Sequence, residues 1–360
     1  MKVSGFCLPL AILALLAACA STPPEQPKME QTIAEVQTYI ASHNVSDDRG
    51  RFREIFCAVL EERGESLPDY RPCEEALRTT GPELGATGAP VSLGRTEADY
   101  LVLIVPGLGW NCFEEFLDPD FSGAKHVATF GYETRFVPVD GLSSTTHNAG
   151  MIRDYVAALP EEDAGRPLIL MGYSKGAPDI LEALVAHPEV AQRTAAVISL
   201  AGAVHGSPLA NDSTQAQANM LTVVPGSRCD EEDGDNEAVP SLRTDVREKW
   251  LAENPLPEHI RYYSIVTLPE PERVSWALQN SWVLLGEIDI RNDTQVIVFD
   301  QMVPGSRVVA VVNADHWAIA VAVARGHPVL GSTLINRHDS PREAFLAALL
   351  RDVEEDLGTP

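Results

Sequence analysis

A chain of 360 residues, 45% of them hydrophobic, has the material for a sizeable core, and 52 acidic against 27 basic residues give it a formal net charge of −25. An acidic surface repels polyanions and anionic headgroups, which excludes electrostatically driven nucleic-acid binding and adsorption of the protein body to an anionic bilayer. The sequence holds no internal repeat, nucleotide-binding glycine signature, C-x-x-C pair or Cys/His cluster, so neither a bound nucleotide nor a structural metal is expected.

The chain begins with the short cationic start Met1-Lys2, followed by an apolar stretch, Phe6 to Leu15, too short to span a bilayer as a mature helix. Leu16-Ala17-Ala18-Cys19 is then a small-residue cleavage pattern ending in cysteine. This run resembles the lipobox of bacterial lipoproteins. The resemblance implies a signal peptide over residues 1–18 and a lipid on Cys19 that anchors the mature chain to a membrane. Ala20, in place of the aspartate associated with inner-membrane retention, implies the outer membrane, facing the periplasm. Residues 19–28, proline-rich and polar, read as an extended tether.

An oxidising compartment leaves Cys57, Cys73, Cys112 and Cys229, an even set with three possible connectivities. The expected pairs are Cys57 with Cys73, stapling two N-terminal helices, and Cys112 with Cys229, tying a loop after the first core strand to a later insertion.

Residues 29–84 have helical periodicity and form an expected N-terminal α-helical extension. Ile33, Val36, Tyr39 and Ile40 recur at helical spacing, then Phe52, Ile55, Phe56, Val59 and Leu60, then a turn around Cys73 to Leu77. Gly81 to Gly94 is a linker rich in glycine, proline and small residues. Strand candidates follow at Tyr100–Val105, Ala128–Phe130, Arg135–Val139, Leu168–Met171, Ala195–Leu200, Arg261–Thr267 and Val308–Val312. Helical segments alternate with them, so the fold class is α/β with a mostly parallel central sheet.

Two glycine-rich turns end two of those strands. Pro106-Gly107-Leu108-Gly109 follows the first, and Gly172-Tyr173-Ser174-Lys175-Gly176 lies between the strand at Leu168 and a helix from Ala177. A serine on a strand–turn–helix corner between two glycines stands on a sharp tip, where its hydroxyl is available as a nucleophile. The amides of Leu108 and Lys175 are the candidate donors to an oxyanion.

With Ile198–Pro208 beside them, these turns resemble the α/β-hydrolase family in its lipase and esterase branch, over about residues 98 to 325. Pro106 stands where that family usually has histidine. The resemblance implies one α/β-hydrolase domain over 95–360, cleavage of carboxylic esters through an acyl-enzyme on Ser174, and no cofactor. It also implies the chain order serine, acid, histidine. His316, in the loop Asn313–Trp317 after the last strand candidate, is the expected general base, because an imidazole with a pKa of about 6.5 takes and returns a proton near neutrality. His43, His126, His187, His259, His327 and His338 fit surface or capping roles.

Asp293, in Arg291-Asn292-Asp293-Thr294-Gln295-Val296, resembles the family's N-D-G-x-V acid loop with Thr294 in place of glycine. Asp300 and Asp315 compete with it. Residues 209–258, with an irregular stretch from Pro269 to Arg291, are the expected cap insertion, and the acidic run Asp230–Asp235 lacks calcium-loop spacing and reads as solvated. Acyl transfer from the same acyl-enzyme, and a catalytically silent envelope-binding lipoprotein, are the alternatives.

Overall fold

In the computed structural model, residues 38–40, 45–110, 123–214 and 234–358 are described. The lipobox with Cys19, the tether, Cys112, Cys229 and most of the acidic run lie outside them. The described strands are β1 (Ser46–Asp47), β2 (Leu101–Val105), β3 (Glu133–Phe136), β4 (Leu168–Tyr173), β5 (Thr194–Leu200), β6 (Arg261–Thr267) and β7 (Arg307–Val312). They form one sheet in the order β1-β7-β6-β5-β4-β2-β3, every pair parallel.

Each residue of β2 and β4 is buried, which explains their unbroken apolar runs: a parallel strand covered on both faces has no polar side to alternate with. Val102, Ile104, Ile169 and Met171 face a core shared with the helices Arg49–Arg63 and Arg342–Leu357. Leu101, Leu103, Leu168 and Leu170 face the helices Thr145–Ala157 and Gly176–Ala186. From β2 the chain steps outward to β3 and returns across β2 to β4, so the strand order reverses there. The carboxyl ends of β2 and β4 therefore border the crevice in which α/β sheets bind their ligands.

Two strand expectations need correction. Ala128–Phe130 is no strand, since the helix Ala124–Ala128 closes into a turn in which Phe130 N–H donates to Val127 O at 2.9 Å. The strand at this edge is Glu133–Phe136, displaced from the expected Arg135–Val139 and too polar and short to read from period-2 patterning. The extension is not wholly helical either, because Ser46 and Asp47 add β1 to the outer edge of β7.

The helix Arg49–Arg63 buries Phe52, Ile55, Phe56, Val59 and Leu60 as the periodicity requires. Phe345 of the C-terminal helix packs against Phe52 and Phe56 with ring centroids 5.2 and 5.8 Å away. The extension thus shares its core with the sheet. A disulfide joins Cys57 to Cys73, Cα atoms 5.3 Å apart, and ties that helix to the short helix Cys73–Ala76. Within the insertion, Ala210, Val239 and Leu242 pack with Leu108. No helix among the described residues is long and apolar enough to cross a membrane.

Candidate active site

The turn after β4 is fixed by its glycines. A Cβ on Gly172 would stand 2.5 Å from Ala177 N, and one on Gly176 only 2.1 Å from Val105 O, so neither position admits a side chain. Ser174 between them has φ +54°, a left-handed conformation that costs a non-glycine residue about 1–3 kcal/mol and persists only where its surroundings enforce it. Three hydrogen bonds do so: Ser174 N–H to Leu200 O at 3.1 Å, and Ala203 and Ala177 N–H to Ser174 O at 3.0 and 3.2 Å. From 168 to 184, every residue but Ser174 is buried.

The loop after β7 brings His316 to that hydroxyl. Its Nε2 lies 2.9 Å from Ser174 Oγ, and its Nδ1 lies 2.7 Å from Asp293 Oδ2. The backbone also binds the two loops, His316 N–H donating to Asp293 O at 2.9 Å. Asp293 is fully buried and its carboxylate is surrounded by donors. Oδ1 accepts the amides of Gln295 and Val296 at 3.0 and 2.8 Å, and Oδ2 accepts the Thr267 hydroxyl at 2.6 Å beside the imidazole. Thr294 sits at φ +90°, which explains why the motif that this loop resembles has glycine there.

The competing acids go elsewhere. Asp315 is buried and accepts amides from Ser275, Trp317 and Ala318, so it ties the loop together without touching the imidazole. Burial pushes the Asp300 carboxyl up to about 7, and its carbonyl, not its side chain, receives His205 N–H. Among the other histidines, His327 caps a helix by accepting Leu330 N–H. His338, expected at the surface or in a cap, is instead buried, with no partner on either ring nitrogen among the described residues.

The turn after β2 approaches from the other side. A Cβ on Gly107 would lie 2.8 Å from Ser174 Cβ, so only glycine allows this contact. Gly109, at φ +70°, donates its N–H to Gly141 O at 3.1 Å. The amides of Leu108 and Lys175 have no backbone partner among the described residues. Lys175 also begins the helix Gly176–Ala186, whose positive end faces the same space.

Sequence reasoning missed three supports. Tyr173 donates its hydroxyl to His316 O at 2.8 Å, and burial raises its phenol well above its ordinary range, so it stays a donor. Thr267, at the end of β6, gives Asp293 its fourth hydrogen bond. The extension holds the His316 loop: Asn313 N–H donates to Ala76 O at 2.9 Å, Arg71 Nη1 to Asn313 O at 2.9 Å, and Arg78 N–H to Val311 O at 2.8 Å. Next to Tyr173 and Pro106 lies an apolar cavity of about 50 Å³, lined also by Trp110, Phe136, Ile319 and Phe345.

The chain matches no protein-family model and no curated protein sequence. Solved structures do match it. The lipase BlEst2 of Bacillus licheniformis in its mature form shares 22% identity over 68% of this chain and 95% of its own, with a TM-score of 0.51. The Staphylococcus hyicus lipase shares 14% over 75% of this chain and 99% of its own, also at 0.51, and both likenesses are of fold alone. A metagenomic carboxyl esterase, MGS0156, is 35% identical over 97% of this chain and 100% of its own, with a TM-score of 0.81. At that identity, over essentially the whole of both chains, this protein belongs to the α/β-hydrolase family, among its carboxyl esterases and lipases.

Proposed function

We propose that the protein hydrolyses carboxylic esters, with Ser174 as nucleophile, His316 as general base and acid, and Asp293 as the carboxylate that orients the imidazole. The observation that carries this reading is the unbroken line of hydrogen bonds from Ser174 Oγ through His316 to buried Asp293, set on a strained turn at the sheet's switch point. Asp293 accepts Nδ1–H, which leaves Nε2 free to take the serine proton as Oγ bonds to the ester carbon. The carbonyl oxygen becomes an oxyanion, met by the amides of Leu108 and Lys175. Collapse breaks the bond to the alcohol oxygen, which leaves with the proton from His316. Water then repeats the sequence on the acyl-enzyme, losing a proton to Nε2, and frees the acid and Ser174.

The acyl group is assigned to the apolar cavity beside Tyr173. At about 50 Å³ it is well below the roughly 150 Å³ that accommodates a benzene ring, so short acyl chains are the expected substrates. The lipobox-like start supports attachment through lipid on Cys19 to the outer membrane, with the hydrolase domain on the periplasmic side. A fluorophosphonate probe tests the chemistry: it should label the wild type at Ser174 and leave Ser174→Ala unlabelled. Rates across a p-nitrophenyl ester series should peak at short acyl chains, and a maximum at long chains would overturn the cavity assignment.

A further inference from the structure

The Lys175 side chain is not used by the chemistry above, yet it is buried immediately behind it. The side chain is 1% exposed, and its ammonium lies 2.8 and 3.0 Å from the two carboxylate oxygens of Asp179, one helical turn further on. Asp179 also accepts Asn148 Nδ2–H at 2.8 Å, and the same nitrogen donates to Asp140 O at 2.9 Å. The Asp140 carboxylate in turn folds the bend beyond it, accepting Leu142 N–H at 2.9 Å and the Ser143 hydroxyl at 2.6 Å. Inside that bend, Gly141 O receives the Gly109 amide at 3.1 Å. A continuous path therefore joins the residue after the nucleophile to the turn that carries Leu108.

Stability does not explain this path. A buried ion pair gains little over well-packed apolar residues of equal volume, because both charges lose their water. Burial outweighs the pull of Lys175 enough to push the Asp179 carboxyl up to about 6. Asn148 is fully buried and its Oδ1 has no partner among the described residues, so its amide is placed to donate, at the expense of its own acceptor. The other charges facing this cluster neutralise each other, Arg247 Nη1 lying 2.5 Å from Glu182 Oε1.

We propose that Lys175 is a positioning residue. Through Asp179 and Asn148 its ammonium holds the turn after β4 and the turn after β2 in fixed register, so that the Lys175 and Leu108 amides converge on one oxyanion. The inference rests on the assignment of those amides in the proposed function.

The test compares wild type, Lys175→Met and Asn148→Ala in the full chain. Asn148→Ala cuts the path while leaving the Lys175–Asp179 pair whole, and it decides the matter if Lys175→Met fails to fold. Three quantities are read on a short p-nitrophenyl ester: kcat, KM and the inhibition constant of a trifluoromethyl ketone, which forms an oxyanion on the serine. We expect kcat to fall about tenfold to a hundredfold in Lys175→Met and less in Asn148→Ala, with KM within about twofold. Ketone affinity should weaken by the same factor as kcat. A folded Asn148→Ala with unchanged kcat and ketone affinity, however low its melting temperature, would show a merely structural path and overturn the proposal. Wild-type enzyme that fluorophosphonate does not label at Ser174 would instead bring down the proposed function itself.

Discussion

Asp293→Asn removes one charge while preserving shape, and the structure dictates how the new amide must sit. Oδ1 accepts two backbone N–H groups, from Gln295 and Val296, so the asparagine oxygen has to remain there. The opposite orientation would aim an NH₂ group at two donors, at about 1–3 kcal/mol for each group left unsatisfied. The NH₂ therefore takes the place of Oδ2, where it faces His316 Nδ1 at 2.7 Å and the Thr267 hydroxyl at 2.6 Å. Thr267 adapts, because its hydroxyl has a second acceptor in Gln301 Oε1 at 3.3 Å.

His316 cannot adapt without losing function. To accept from the amide, Nδ1 must give up its proton, and the tautomer that results carries N–H at Nε2, toward Ser174. It then has no lone pair with which to take the serine proton. The expected loss in kcat is about 10⁴-fold, or about 5.4 kcal/mol, as for the same substitution in a serine-protease triad. Steady-state kinetics on a p-nitrophenyl ester, with circular dichroism as a control for folding, measures it. A folded variant within about tenfold of wild type would refute the tautomer argument, and a large loss in Asp300→Asn with a mild one in Asp293→Asn would move the acid elsewhere.

Ser174→Ala and His316→Ala should each lower kcat by several orders of magnitude, and the double variant should be little worse than either, because the two act as one unit; multiplying losses would mean they act separately. Opening the 16-residue loop with Cys57→Ser should cost about 3 kcal/mol, seen as a lower midpoint in urea, and an unchanged midpoint would count against it. Asp352 is raised to about 7 by burial and then by Asp48, Glu355 and Asp356, so the folded state holds its proton more tightly than the unfolded chain does. That contribution is complete below about pH 4 and is lost as pH rises through the folded value, so Asp352→Asn should raise Tm most above about pH 7 and less toward pH 4. No gain at about pH 8 would contradict the assignment. Cys19→Ser should release the protein from membranes with its esterase activity intact, and retention would show that another element binds the bilayer.

Legibility in the sequence follows from how local each constraint is. Strands β2, β4, β5, β6 and β7 could be read because nearly all their residues are buried. Edge strands β1 and β3, two and four residues long and largely polar, carry no such signal. The turn at Ser174 was legible because both glycines stand in one short motif between a strand and a helix, although only Gly172 answers a clash within a few residues of chain, Gly176 answering Val105 O on the neighbouring strand. By contrast Tyr173, Thr267 and the Lys175–Asp179–Asn148 path act across 143, 26 and 31 positions respectively, and no local pattern marks them. Asp293 could be picked from 52 acidic residues only through the resemblance of its loop. Thr294 then shows what that departure from the pattern means, a threonine in a conformation that suits glycine.

The extension has a closer relation to the chemistry than its place in the sequence suggests. Its second part, from Arg71 to Arg78, lies against the end of β7, where Leu77 forms an antiparallel bridge with Val312. Asn313, three residues before His316, is gripped at every polar group. Its N–H donates to Ala76 O and its carbonyl accepts Arg71, while Nδ2 donates to Glu75 O at 3.1 Å and to Glu270 Oε2 at 2.9 Å and Oδ1 accepts Glu270 N–H at 2.8 Å. The disulfide at Cys73 fixes the same segment to the helix that packs on Phe345. A histidine that must stand 2.9 Å from a strained serine tolerates little drift in its loop, and Arg71, Glu75 and Ala76 hold that loop from outside the α/β unit, beside Tyr173, Glu270, Ser275 and Asp293 from within it. The extension is therefore best understood as an outer wall of the active site, with the disulfide as the clamp that keeps the wall in place.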